Sequence, residues 1–71
     1  MTLLEEYRIR LRRYDDELKA FEKRFGMDSA TLYEKFETGN AGDTMDYFEW
    51  ASLYELRKDL VAKIGQLDVI Q

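Results

Sequence analysis

Cysteine, histidine and proline are all missing from this 71-residue chain, and glycine occurs only four times. Each absence removes a class of explanation. Without Cys or His there can be no disulfide, no thiolate nucleophile, no imidazole base and no zinc site of the usual nitrogen and sulfur type. The few Ser and Thr residues stand in no Gly-x-Ser-x-Gly or comparable setting, so no acyl-transfer nucleophile can be read. We expect neither enzymatic activity nor a cofactor. No apolar run approaches the ~20 residues of a membrane span. Met1-Thr2-Leu3-Leu4 leads straight into Glu5-Glu6 with no basic segment before an apolar one, so no secretory signal is read and a cytoplasmic location is expected.

Shortness is the next constraint. Residues 1–71 read as a single domain, and a core of this size barely offsets the entropy of ordering the chain. Disulfides and metals are the usual remedies for small domains, but this composition makes both hard to build. Association with another chain remains, and a homo-oligomer, with a dimer favoured, is the expected outcome.

The 11 basic and 15 acidic residues give a net charge of −4, unevenly spread. Residues 1–25 hold seven Lys/Arg against six Asp/Glu. Residues 26–56 hold Lys35 alone against Asp28, Glu34, Glu37, Asp43, Asp46, Glu49 and Glu55, a block of −6. Such a segment repels nucleic-acid phosphates and attracts basic proteins, which makes direct DNA or RNA binding by this segment unfavourable.

With no proline to interrupt it, the chain divides at its glycines into three helices. Leu4, Tyr7, Leu11, Tyr14, Leu18, Phe21 and Phe25 alternate steps of three and four, the seam of a coiled-coil helix over about 2–25, which Gly26 stops. Asp28 or Ser29 caps a short helix over about 29–37, with Leu32, Tyr33 and Phe36 on one side. Thr38-Gly39-Asn40-Ala41-Gly42-Asp43 is turn chemistry, and Asp43 or Thr44 caps a third helix over about 45–67. Trp50, Leu53, Leu60, Ile64 and Leu67 form its seam, with Tyr47, Tyr54 and Val61 beside it. Leu56 widens that stripe to roughly half the helix, enough to touch more than one neighbour. The expected fold is all-α: an antiparallel hairpin of two long coiled-coil-like helices, crossed at its closed end by the short one. A second copy or a partner protein would cover the remaining apolar width.

Several residues ask for a reading beyond packing. Asp43, Asp46 and Glu49 recur every three residues and could gather near a hard cation, yet acidic residues in a first turn more simply complement the helix dipole. We expect no metal there. Arg8, Arg10, Arg12 and Arg13 point to several sides and are flanked by Glu5, Glu6, Asp15 and Asp16, the pattern of a solvated exterior more than of a groove-reading helix. Arg57 falls within the apolar seam of the third helix, so it either needs a carboxylate partner, marks an interface, or lays its stem along Trp50. Phe48 and Ile9 lie on the polar sides of their helices. Aromatic residues anchor interfaces disproportionately, and Phe48 beside Tyr47 and Trp50 in the acidic block reads as a partner contact.

The stretch Arg24-Phe25-Gly26-Met27-Asp28-Ser29-Ala30-Thr31-Leu32-Tyr33-Glu34-Lys35-Phe36-Glu37-Thr38-Gly39, followed by Asp46-Tyr47-Phe48-Glu49-Trp50 and Leu53-Tyr54, resembles a group of small acidic proteins of bacteria and archaea. These are regarded as antitoxin components of type II toxin–antitoxin pairs, encoded beside a small nuclease-like toxin. The likeness covers about residues 24–60. Its distinctive parts are the Phe-Gly-Met turn and the Glu-Trp step, while Phe25 stands where Tyr is commoner and the glycine-rich loop is longer. The resemblance implies a cognate toxin as partner, basic because it binds phosphates, and neutralised by an acidic, aromatic helix that occludes its groove. Asp43, Asp46, Tyr47, Phe48, Glu49, Trp50, Tyr54 and Arg57 are the candidate partner-binding residues. The alternative is a self-assembling coiled-coil scaffold, which has no evident need for so many carboxylates around its aromatics.

Overall fold

The computed structural model describes residues 1–42 and 44–70, the side chains of 68–70 excepted. It is all-helical: α1 spans Leu3–Phe25, α2 Ser29–Glu37 and α3 Met45–Ile70.

Each boundary follows from a local hydrogen bond. Thr2 keeps extended backbone angles, and its Oγ1 accepts the Glu5 N–H, satisfying a donor that the first turn of α1 leaves free. At the other end Gly26 enters the left-handed region, φ 66°, and its N–H closes on the Glu22 carbonyl at 2.8 Å. Asp28, not Ser29, caps α2, accepting the Thr31 N–H at 2.8 Å. The end of α2 unwinds through Thr38 and Gly39, with the Asn40 N–H returning to the Lys35 carbonyl at 2.7 Å. Thr44 begins α3: its Oγ1 accepts from the Tyr47 N–H at 3.3 Å and its carbonyl accepts from Phe48. Where the spacing placed the end of α3 near residue 67, the helix runs on to Ile70. Gly65 does not stop it, and no proline or asparagine follows.

Two ion pairs give the relative course of the long helices. Arg24 meets Asp46 at 3.2 Å, and eleven residues along α3 Arg57 meets Asp15, so α1 and α3 run in opposite directions side by side. α2 leans chiefly on α3. The best-covered part of the molecule lies where all three helices meet, around Leu18, Leu32, Trp50, Ala51 and Leu53. Leu32 and Trp50 have no exposed surface at all. Half-buried aromatic rings pack around them. Phe21 and Phe25 stack on the Trp50 indole at 5.5 and 5.6 Å between centroids, and Tyr47 sets its ring edgewise to Phe25 at 5.2 Å. Offset and edge contacts of this kind add to the burial of the rings themselves.

A single polar joint pins this core. The Trp50 Nε1–H of α3 donates to Ser29 Oγ of α2 at 2.9 Å, and the Ser29 hydroxyl donates in turn to Glu22 Oε2 of α1 at 2.8 Å. The same Glu22 oxygen also accepts the Ser29 backbone N–H at 2.8 Å. A buried indole N–H without a partner is costly. Here one serine satisfies it and joins three helices.

Beyond the reach of α2 the covering is thinner. Leu4, Tyr7 and Leu11 of α1, with Ile64 and Leu67 of α3, are only half-buried, and Leu3, Ile9 and Val61 remain 51%, 48% and 42% exposed.

Candidate functional site

The candidate residues separate into three groups once the helices are in place. Trp50 is wholly enclosed, and Tyr47 and Tyr54 belong to the aromatic packing, Tyr54 lying 5.0 Å from Tyr33 between ring centroids. Trp50 therefore presents no surface to a partner, and its place in the molecule is the core. Asp46 and Arg57 are engaged internally, with Arg24 and Asp15. The carboxylate that Arg57 needed comes from the opposing helix. Phe48 and Glu49 point outward. Asp43 lies outside the described residues.

Phe48 is 59% exposed, although the short helix does touch it: Phe36 sets its ring edgewise to Phe48 at 5.8 Å. Met45, 82% exposed, precedes it by three residues, and Leu56, 51% exposed, follows by eight. At ~100° per residue these three side chains fall on one side of α3, turned away from Trp50. They form a broken apolar strip. Exposed carboxylates border it: Glu49 and Glu55 from α3 and Glu37 from the end of α2. Among the described residues, none of the three is in an ion pair.

Between α2 and α3 this surface sinks into a depression of about 450 Å³. Tyr33, Phe36 and Phe48 supply its walls, the buried Ala51 lies at its floor, and Glu37 and Glu55 stand at its edge. The electrostatic character of the place registers on Tyr33, whose hydroxyl is held above its ordinary pKa of 10.0 by burial first, and then by the Glu37 and Glu55 carboxylates. Asp28 is shifted the other way. Its carboxyl is held below the ordinary 3.8 because the charged form accepts the Thr31 backbone N–H.

Phe36, Glu37 and Glu55 were not among the residues singled out from the sequence. Phe36 reads as the buried side of a short helix, and the two glutamates read as members of the acidic block, without a site of their own. Only the packing of α2 on α3 brings them to Phe48.

Folding also redistributes charge. Because α1 and α3 run oppositely, residues 1–14 lie with residues 57–67, and together these carry seven Lys/Arg against three Asp/Glu, +4. Residues 15–42 and 44–56 carry four against ten, −6. Arg8, Arg10, Arg12 and Arg13 are all exposed at the positive end. Among the described residues, no cluster of Asp and Glu is arranged to hold a metal ion, and no helix is long and apolar enough to cross a membrane. No family model matches the chain, and no curated protein or solved structure matches it.

Proposed function

We propose that this chain is a protein-binding module that neutralises a basic, nuclease-like toxin by covering its phosphate-binding groove, acting in the cytoplasm and without catalysis of its own. The observation that carries this reading is Phe48, an aromatic ring 59% exposed beside Met45 and Leu56 and bordered by the exposed carboxylates of Glu37, Glu49 and Glu55. Exposed apolar side chains grouped on one face are a cost in a monomer and an asset at an interface. The acidic border suits a partner that binds phosphates, through faster encounter and through register on contact. Trp50, Tyr47 and Tyr54 serve this surface from beneath by fixing the axis of α3, and the likeness to antitoxins over residues 24–60 points to the same class of partner.

Co-expression with the product of the adjacent gene tests it. The expected result is a stable complex on size exclusion and restored growth of cells that the neighbour alone arrests. Recovery of the two chains as separate species, with growth unaffected by either, would refute it.

A second reading rests on a different part of the molecule. The half-buried Leu4, Tyr7, Leu11, Ile64 and Leu67 beyond α2 suit a homodimer in which two such hairpins complete each other as a bundle, the arrangement of a scaffold. Light scattering on the isolated chain separates the two readings, since a pure scaffold assembles fully without its neighbour.

A further inference from the structure

We infer that the depression between α2 and α3 is a receptor for one arginine side chain of the protein partner, gripped between the rings of Phe36, Phe48 and Tyr33 and the carboxylates of Glu37 and Glu55. The inference rests on the reading of this surface as a protein interface and specifies how it recognises its partner.

The composition of the depression narrows the occupant. An aliphatic or neutral side chain would satisfy the three rings and leave two carboxylates to be desolvated without a counter-ion, which is unfavourable. A carboxylate or phosphate would be repelled by both glutamates. A cation satisfies both parts of the lining, because ring faces carry negative charge density and attract cations within about 6 Å of the centroid. The volume of about 450 Å³ admits a long side chain with its stem. Ala51 at the floor is buried and small, which keeps the depression open where a larger residue in α3 would fill it.

Arginine fits better than lysine. Its planar guanidinium can lie along a ring while its N–H groups reach carboxylates at the edge, whereas an ammonium is a more strongly hydrated point charge. Glu37 comes from the end of α2 and Glu55 from the middle of α3, so the two carboxylates flank the opening from different elements. Neither is in an ion pair among the described residues. The chain itself shows the attraction on one of these rings, where the Lys58 ammonium lies 5.2 Å from the centre of Tyr33, and an entering guanidinium takes its place. The Tyr33 hydroxyl, raised first by burial, is raised further by these same two carboxylates.

The test uses the full chain and a short blocked peptide with one central arginine, followed by the same peptide with neutral citrulline and with lysine. Binding is read from the ring proton resonances of Phe36, Phe48 and Tyr33. Saturable shifts at these rings are expected with arginine, weaker binding with lysine, and about tenfold weaker binding with citrulline, which keeps the shape and loses the charge. Phe48→Ala should weaken arginine binding about fivefold, the scale of one exposed cation–π contact. Glu37→Gln with Glu55→Gln should weaken it similarly and flatten its dependence on salt. All three positions are at the surface, and unchanged circular dichroism verifies that the variants fold. Equal binding of citrulline, shifts spread over the acidic surface away from these rings, or no saturation would overturn the assignment. A toxin that binds while the arginine peptide does not removes the pocket and leaves the proposed function standing. The reverse result keeps the pocket and removes the toxin.

Discussion

The half of the molecule that contains α2 and the half that lacks it are built from the same two long helices, and their interiors differ. Where α2 lies against α3, Trp50 and Leu32 lose all contact with solvent and a polar joint links all three helices. Past the end of α2, Leu60 is still buried, while Leu4, Tyr7, Leu11, Ile64 and Leu67 of the same seam are only half-covered. Two helices that meet along a line enclose little. Nine residues of a third helix turn that line into a small core, and the contrast teaches that stability here is concentrated rather than spread along the hairpin.

Substitution at matched points of the two halves should separate them most strongly. Trp50→Ala should cost about 3–5 kcal/mol, which in a domain this small is enough to unfold most of the population at room temperature. Leu11→Ala, at a half-buried position of the thinner half, should cost about 1 kcal/mol or less. Urea denaturation followed by circular dichroism checks both, and equal costs would mean that the two halves are equally well packed in solution.

A smaller effect sharpens the role of the polar joint. Ser29→Ala keeps nearly the same volume and takes from the Trp50 indole its hydrogen-bond acceptor, so a loss of about 1–3 kcal/mol is expected, with a lowered midpoint and an unchanged slope in urea. A neutral result would show that the rings alone hold α2 in place.

The smallest effect is a matter of pH. Asp28 caps α2 through its charged form, and its folded pKa lies below the ordinary 3.8, so its contribution is fully present above that value. It declines as the pH falls below 3.8 and is lost once the pH passes the folded pKa. Asp28→Asn keeps an acceptor without the titration, so its melting temperature should fall less steeply than that of the parent chain over that interval. Parallel curves would mean that other carboxylates govern the acid limit.

Helix limits were legible in the sequence because they depend on near neighbours. The three-and-four spacing from Leu4 to Phe25, the stop at Gly26, a cap at Asp28 or Ser29 and the turn residues from Thr38 onward each specify a local conformation, and the structure places the helices accordingly, except that α3 runs on past residue 67. Phe48 was legible too, as an aromatic ring on the wrong side of its own helix. Trp50 reads both as part of the α3 seam and, with Phe48, as a partner contact; two residues on a helix are ~200° of rotation, and one ring goes inside while the other stays out. The pairing of Arg57 with Asp15 spans 42 residues of chain and needs the register of α1 on α3, which no local pattern carries. Glu37 and Glu55 read only as members of the acidic block for the same reason, since the packing of α2 on α3 is what sets them beside Phe36 and Phe48.

The separation of charge has a further consequence when the chain approaches another molecule. The body is 42 Å long and 16 to 22 Å across, and its described residues carry −6 toward one end and +4 toward the other, so it is an electric dipole as well as an anion. In the field of a basic groove such a body experiences a torque before it experiences contact. The torque acts within about one Debye length of the groove and favours approach with the acidic end forward, an effect that grows as ionic strength falls.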